Sequence, residues 1–305
     1  MQRFSFLSTD GKTELAAYRL VPENPRLMVQ ISHGMCEYLL RYRELAAYFA
    51  GENILVFGHD HLGHGATAAN ARDLGFTVHG GGADCLVEDV YTLAQKMKTE
   101  YPDLPVVLFG HSMGSFIARA VVERHPDTYC AAVFCGTCGG GMPTGAGKAL
   151  AKLLMLFYGE EHRSGLMKKI AFAGYNKTYE KPCDENAWLS RDEAVVKAYN
   201  EDPLCGFPFT LRAYHDLFTL IARISRREWA GSLPKELPVL ITGGEADPVG
   251  AYGKGLREVA DALRDAGMSD VTLKLYPEMR HEIHNELEKE RVWEDLRAWI
   301  LSKQP

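Results

Sequence analysis

Basic residues are in short supply: Lys and Arg number 34 against 40 Asp and Glu, a net charge of −6 with histidines neutral. No stretch gathers them into a stripe that could follow a phosphate backbone, so no nucleic-acid partner is expected. Cysteines are few and scattered, seven in all and none in C-x-x-C spacing. That argues against a disulfide framework and against a structural zinc site, and suits a reducing cytoplasm. Long apolar runs are missing too, since nothing approaches the ~18 residues that span a bilayer. No transmembrane segment is expected. Met1-Gln-Arg-Phe-Ser-Phe6 lacks a basic region followed by an apolar core, so no export signal is expected either. What the chain does have is 305 residues, 46% hydrophobic and 24% charged, enough for one large core carrying an insertion.

The densest signal is Pro105 to Arg119. Val106 to Phe109 form a short apolar run of β-branched and aromatic residues, the composition of a strand covered on both faces in a parallel sheet. Gly110-His111-Ser112-Met113-Gly114 then matches G-x-S-x-G, in which glycines flank a serine because the strand-to-helix turn is too tight for neighbouring β-carbons. At such a helix N-terminus the Met113 N–H and the helix dipole point at charge developing on a bound carbonyl oxygen.

Around this turn the chain alternates strand and helix. Arg3 to Ser8 and Glu14 to Leu20 read as an edge hairpin about Asp10-Gly11. Leu27 to Ile31 is a strand ending in Ser32-His-Gly-Met35-Cys36-Glu37, where a second oxyanion donor, Met35, belongs. Arg41 to Ala50 is helical, with Glu37 and Arg41 forming an i,i+4 pair that, if exposed, contributes only about 0.3–0.5 kcal/mol. Ile54 to Phe57 is a strand followed by a glycine-rich loop holding His59, Asp60, His61 and His64; this reads as packing rather than a metal site. Ala83 to Tyr101 is an amphipathic crossover helix. Ala131 to Cys135 is the next strand.

From about Lys148 to Trp229 the alternation stops, and helical segments broken at Pro182, Pro203 and Pro208 read as an insertion over the active face. Gly147-Lys148 is not a phosphate loop, because Met142 holds the required upstream glycine position and Ala149 the Ser/Thr position. Leu150, Leu153, Leu154, Leu156, Phe157 and Tyr158 are too crowded for one helical stripe, so this helix either buries them in the insertion or offers an apolar entrance for lipid. Alternation resumes with Val239 to Thr242, ending near Asp247. Helix Lys254 to Ala266, strand Thr272 to Tyr276, a loop with His281 and His284, and a last helix carrying Leu287, Val292, Leu296 and Trp299 follow. His281-Glu-Ile-His284 lacks the spacing of a zinc-protease motif.

Ser112, Asp247 and His281 thus each fall just beyond a strand, in the chain order of α/β-hydrolases. A serine hydroxyl is a weak nucleophile at neutral pH, so a histidine must take its proton and an acid must fix the imidazole. Glu245 competes with Asp247 for the last role, and Asp247 is favoured because Asp-Pro starts the next helix.

On His33-Gly34, Asp60-His-Leu-Gly-His-Gly65, Gly-His-Ser-Met-Gly, Ala246-Asp-Pro-Val-Gly250, and His281 with His284, nearly the whole chain resembles the monoacylglycerol lipase and lysophospholipase family of capped α/β-hydrolases, grouped with serine aminopeptidase-like hydrolases. The resemblance implies a mostly parallel eight-stranded sheet with flanking helices, formed by residues 1–138 and 233–305, and a helical cap at 139–232. It implies Ser112, Asp247 and His281 as the triad, the Met35 and Met113 N–H groups as oxyanion donors, an apolar acyl tunnel under the cap, and no cofactor or metal. Residues matching Glu37, Arg41 and His284 surround the polar end of the substrate in this family. The implied activity is hydrolysis of single-chain acyl esters, with transient membrane-surface contact through the cap of a cytoplasmic protein. Small aryl or alkyl esters, peptides, or a receptor with negligible turnover are the alternatives, since fold and triad do not set the acyl or leaving group. One departure is Cys36, where the family usually has glycine.

Overall fold

A computed structural model describes residues 1–140, 144–179, 181 and 183–304; Met142 and Pro182 lie outside them. Its centre is an eight-stranded sheet: β1 (Gln2–Leu7), β2 (Glu14–Leu20), β3 (Leu27–Ser32), β4 (Ile54–His59), β5 (Val106–His111), β6 (Ala131–Cys135), β7 (Val239–Gly244) and β8 (Val271–Tyr276). The spatial order is β1-β2-β4-β3-β5-β6-β7-β8. β2 pairs antiparallel with β1 and with β4, and every other neighbouring pair is parallel. The turn between β1 and β2 is longer than a two-residue hairpin. Only Gly11 of the Asp10-Gly11 pair takes a positive φ, and the Asp10 carboxylate holds the loop by accepting the N–H groups of Lys12 and Thr13.

β3 through β7 are buried along their whole length, and their residues alternate between two apolar layers, as a period of two requires. Val106 and Leu108 face the layer of α2 (Gly82–Glu100), α3 (Met113–Arg124) and α8 (Lys254–Asp265). Val107 and Phe109 face that of α1 (Arg43–Gly51) and α9 (Lys289–Ser302). α1 begins later than its periodicity suggests, because Leu39–Tyr42 is a separate 3-10 turn. Val292 and Leu296 are buried as expected, whereas Leu287 precedes α9 and is 58% exposed.

Parallel register brings the ends of β3, β5, β6, β7 and β8 to one edge, with Ser32 beside Gly110, His111 beside Cys135, Cys135 beside Thr242 and Gly244 beside Tyr276. Between β6 and β7 the chain carries α4 (Thr144–Tyr158), α5 (Gly165–Ala171), α6 (Glu193–Glu201) and α7 (Leu211–Ile224). α4 packs on α7, and α7 on α2 and α3. Buried Arg119 on α3 holds the two ends of this excursion: Nη1 donates to the Cys138 carbonyl and Nη2 to that of Ile224, each at 2.8 Å. Its guanidinium lies 4.1 Å over the Trp229 ring. With no carboxylate beside it, burial pushes its pKa down to about 10.

On α4, Leu150 and Leu154 pack on the core. Leu153, Leu156, Phe157 and Tyr158 are exposed, with Leu156 at 77% and Phe157 at 75%, so burial within the insertion does not account for the crowding. No helix of the described residues is long and apolar enough to cross a membrane.

The tightest packing lies under the β5 turn. A β-carbon on Gly114 would stand 1.9 Å from the Ser32 carbonyl oxygen, and one on Gly110 2.4 Å from the Gly114 oxygen. Both obstacles are backbone and cannot rotate away. Gly114→Ala is therefore expected to cost more than the ~1–3 kcal/mol of ordinary overpacking, read as a fall of several degrees in Tm or loss of soluble protein; an unchanged Tm would show that α3 can lift off β3.

Candidate active site

Ser112 links β5 to α3 in a strained conformation of positive φ, φ 53° and ψ −122°. Its N–H donates to the Cys135 carbonyl at 2.9 Å, and its carbonyl accepts the Ser115 hydroxyl at 2.6 Å. With its backbone fixed on both sides, the half-buried side chain lines a cavity of about 450 Å³.

His281 lines the same cavity from the loop after β8. Its Nδ1 lies 2.9 Å from Asp247 Oδ2, and both residues are buried. The other Asp247 oxygen accepts the Val249 N–H at 2.8 Å, which locks the carboxylate in a turn; α8 starts only at Lys254, so Asp-Pro opens this turn rather than the helix. Glu245 instead binds Arg257 at the surface. With Nδ1 engaged by the acid, His281 Nε2 has no hydrogen-bond partner among the described residues. It is the nitrogen left to serve as a base. Burial pushes the imidazole pKa down, but the Asp247 carboxylate outweighs it and raises the pKa above its ordinary value.

Met35 and Met113 also line the cavity. Met113 is the first residue of α3, so its N–H has no intrahelical acceptor, and the Met35 N–H has none among the described residues. Cys36, the departure noted above, has φ 56°, a conformation that glycine adopts freely and a side chain does not. Its surroundings hold it there. Its carbonyl accepts the Gly206 N–H at 3.0 Å and the Tyr199 hydroxyl at 3.1 Å, while its thiol donates to the Phe207 carbonyl. Burial pushes that thiol well above its ordinary pKa, which leaves it protonated and unreactive.

Glu37 and Arg41 are not an exposed pair. Glu37 is 2% exposed and Arg41 11%, and Arg41 also donates from Nη1 and Nη2 to the two oxygens of Glu282, both at 2.7 Å. Burial would raise both carboxyl pKa values, but the His111 hydrogen bond and Arg41 hold Glu37 well below the ordinary range, and Arg41 holds Glu282 below it. Glu37 and Glu282 reach the cavity wall, whereas Arg41 and His284 do not line it. His284 is stacked on the Tyr42 ring at 4.7 Å. Glu282, His111 and Tyr42 were not singled out by the sequence. Only the position of Glu282 beside His281 could have flagged it.

His59, His61 and His64 form a buried cluster with His33, whose ring lies 4.2 Å from that of His61 and 5.2 Å from that of His64. His64 Nε2 accepts the Cys36 N–H and His33 Nε2 accepts the His61 N–H, so these rings support the Met35 loop. Among the described residues the buried group with ligand atoms within 4.8 Å of one another is His111, Cys135 and His284. There His111 already contacts the Tyr42 hydroxyl and the His281 carbonyl, and burial keeps the Cys135 thiol protonated.

A buried, acid-paired histidine and a strained serine lining one cavity at the end of a parallel sheet define a serine hydrolase. The chain belongs to the family described as serine aminopeptidase, S33, whose profile matches residues 23–288. It is 30% identical to the monoglyceride lipase of Homo sapiens over 306 residues, covering 96% of this chain and 88% of that one. It is 31% identical to the monoacylglycerol lipase of Mycolicibacterium smegmatis, covering 92% and 89%. A thermostable carboxyl esterase from Bacillus coagulans, solved in complex with glycerol, superposes with a TM-score of 0.94 at 31% identity, covering 100% of this chain and 99% of that one.

Two pH effects of opposite sign follow. A base must be neutral to accept a proton, so the raised His281 pKa places the acid limb of kcat/KM above about 6.5; a limb centred below that value would contradict the Asp247–His281 pair. His59, His64 and His284 are pushed down to about 3 by burial, so between about 3 and 6.5 the unfolded chain binds protons that the folded one refuses. Their contribution is complete above pH 6.5 and is lost as pH falls, about 1.4 kcal/mol per pH unit for each group. His281 has the opposite sign, stabilising at low pH and losing that contribution as pH rises through its raised pKa. Burial lowers His33 and His61 as well, so five groups against one predict a urea midpoint that drops steeply from pH 6.5 to 5; a flat profile would contradict the burial of these rings.

Proposed function

We propose that the protein hydrolyses the ester of a monoacylglycerol or a similar single-chain lipid. Ser112 acts as nucleophile, His281 as base and then acid, and Asp247 as the group that orients and stabilises the imidazolium. The observation that carries this reading is the Asp247–His281 pair, with its free Nε2, opening onto the cavity that Ser112 lines. The serine Oγ attacks the ester carbonyl carbon as its proton passes to Nε2, and the carbonyl oxygen becomes an oxyanion facing the Met35 and Met113 N–H groups. The bond to the leaving alcohol then breaks, and His281 returns the proton to that alcohol. Water, deprotonated by the same nitrogen, attacks the acyl-Ser112 ester, and as the bond to Oγ breaks Nε2 returns that proton to the serine oxygen, releasing the fatty acid and restoring the enzyme. No step calls for a cofactor.

Residues 139–232 act as a cap. One cavity wall comes from Phe116 on α3 and from Tyr214, Leu217, Phe218 and Ile221 on α7, an apolar lining that rewards each added methylene by about 0.8 kcal/mol until it is full. A triacylglycerol would leave two chains without such a wall. The exposed Leu153, Leu156 and Phe157 of α4, with Leu166 and Ile170 of α5, would rest on the lipid surface from which a single-chain substrate is drawn.

Ser112→Ala is expected to fold normally and to lose ester turnover by about 10⁴ or more; retention of a tenth of the activity would exclude Ser112 as nucleophile. Across monoacylglycerols kcat/KM is expected to rise with acyl length to a maximum and to fall far below it for triacylglycerol, whereas a profile that only falls from acetate upwards would indicate a small-ester hydrolase. Leu156→Glu with Phe157→Glu is expected to weaken sedimentation with anionic vesicles while sparing turnover of a soluble short ester, and undiminished sedimentation would rule out α4 as the contact.

A further inference from the structure

Arg41 lies between the two loops that carry the catalytic groups. On one side its Nη1 donates to Glu37 Oε2 at 2.6 Å, and the other oxygen of Glu37 accepts the Gly34 N–H at 2.5 Å and the Tyr42 hydroxyl at 2.7 Å. Gly34 immediately precedes Met35, so Glu37 fixes the backbone that aims the Met35 N–H. On the other side the fork of Arg41 holds both oxygens of Glu282 at 2.7 Å, and Glu282 immediately follows His281. That segment is braced further where His281 N–H and Glu282 N–H donate to the carbonyls of Trp188 and Leu189, and where Asn285 donates to Glu282 Oε2 at 3.0 Å.

Glu37 follows β3 and Glu282 follows β8, two strands that are not neighbours in the sheet, and Glu282 lies 241 positions beyond Arg41. A single planar guanidinium, with donors in a rigid fork, joins them at good distances on three of its contacts. All three side chains are nearly or fully buried. Arg41 therefore commits three of its five N–H donors to buried carboxylates, and it does not line the cavity.

We propose that Arg41 is a positioning residue: the Glu37–Arg41–Glu282 clamp sets the spacing between the oxyanion loop at Met35 and the base at His281, and acts through them rather than on the polar end of the substrate. The inference rests on the assignment of Ser112, His281 and Met35 given above. A group that positions the machinery lowers turnover of every ester alike, whereas one that binds substrate hydroxyls matters only for substrates that have them.

The test compares Arg41→Met and Arg41→Lys with wild type on a monoacylglycerol and on p-nitrophenyl butyrate, an ester whose leaving group carries no glycerol hydroxyls, together with Tm and the low-field proton signal of the Asp247–His281 hydrogen bond. For Arg41→Met we expect kcat to fall about 10- to 100-fold on both esters with KM changed less than threefold, and the low-field signal to shift or broaden. Arg41→Lys, which keeps the charge without the fork, is expected to recover folding but only part of kcat. A loss confined to the monoacylglycerol and expressed in KM would overturn the proposal in favour of substrate binding. An unchanged kcat and unchanged low-field signal in a folded variant would overturn it outright. If wild type turned over neither ester, the proposed function would fall, while the low-field signal of the variants would still decide the clamp.

Discussion

Helix α3 lies so close beneath the end of β3 that only hydrogen fits at Gly114, the Ser32 carbonyl oxygen occupying the place of any β-carbon. This contact fixes the angle at which the chain leaves β5, and the angle forces Ser112 into positive φ with its side chain clear of the sheet. It also decides where the first N–H of α3 points. Strand β3 is held by the same contact, so the loop that continues from it, with Gly34 and Met35, starts from a place set by backbone packing, and the Glu37 carboxylate on the Gly34 N–H and the His64 ring on the Cys36 N–H then hold it there. Backbone conformation of this kind is costly by itself, and it persists because the layers on both faces of β5 leave no room to relax.

Charge is handled differently on the two sides of the site. Beside His281, buried Asp247 has its oxygens divided between the imidazole and the Val249 N–H. In the cavity wall, two buried carboxylates share one arginine. Removing one member of such a set leaves an uncompensated charge in the interior, which typically costs 3–5 kcal/mol. The rings of His33, His59, His61 and His64 add a third arrangement, a buried polar packing layer kept neutral by desolvation, which supports the Met35 loop through the Cys36 N–H.

Much of the architecture was legible because parallel strands buried on both faces announce themselves as short apolar runs, and glycines mark the turns where backbones meet. The order Ser112, Asp247, His281 needed only those strand ends to be placed. The clamp was not legible, because Glu37 and Arg41 look like one helical ion pair and nothing in the spacing of residues reveals that Glu282 arrives 241 positions later to share the same guanidinium. Glu282 was noticed only as the middle of a failed zinc motif. The family resemblance implies His284 at the polar end of the substrate, whereas a 3-10 turn carries it onto the face of the Tyr42 ring and off the cavity wall. Crowded apolar residues on α4 did signal that something besides the core was involved, since no single face of a helix accommodates them; Leu287 gave no comparable warning, lying just ahead of α9 rather than on it.

Beside its contacts with the Thr137 hydroxyl and the Trp229 ring, Arg119 grips the two ends of the excursion between β6 and β7 through main-chain oxygens, those of Cys138 and Ile224. Every amino acid supplies that oxygen, so the anchorage is blind to side-chain identity at both points. At those two points the sheet and its turn are therefore insulated from sequence drift in the helices they carry, and a lineage can reshape the walls of the cavity while Ser112, His281 and Asp247 stay where they are.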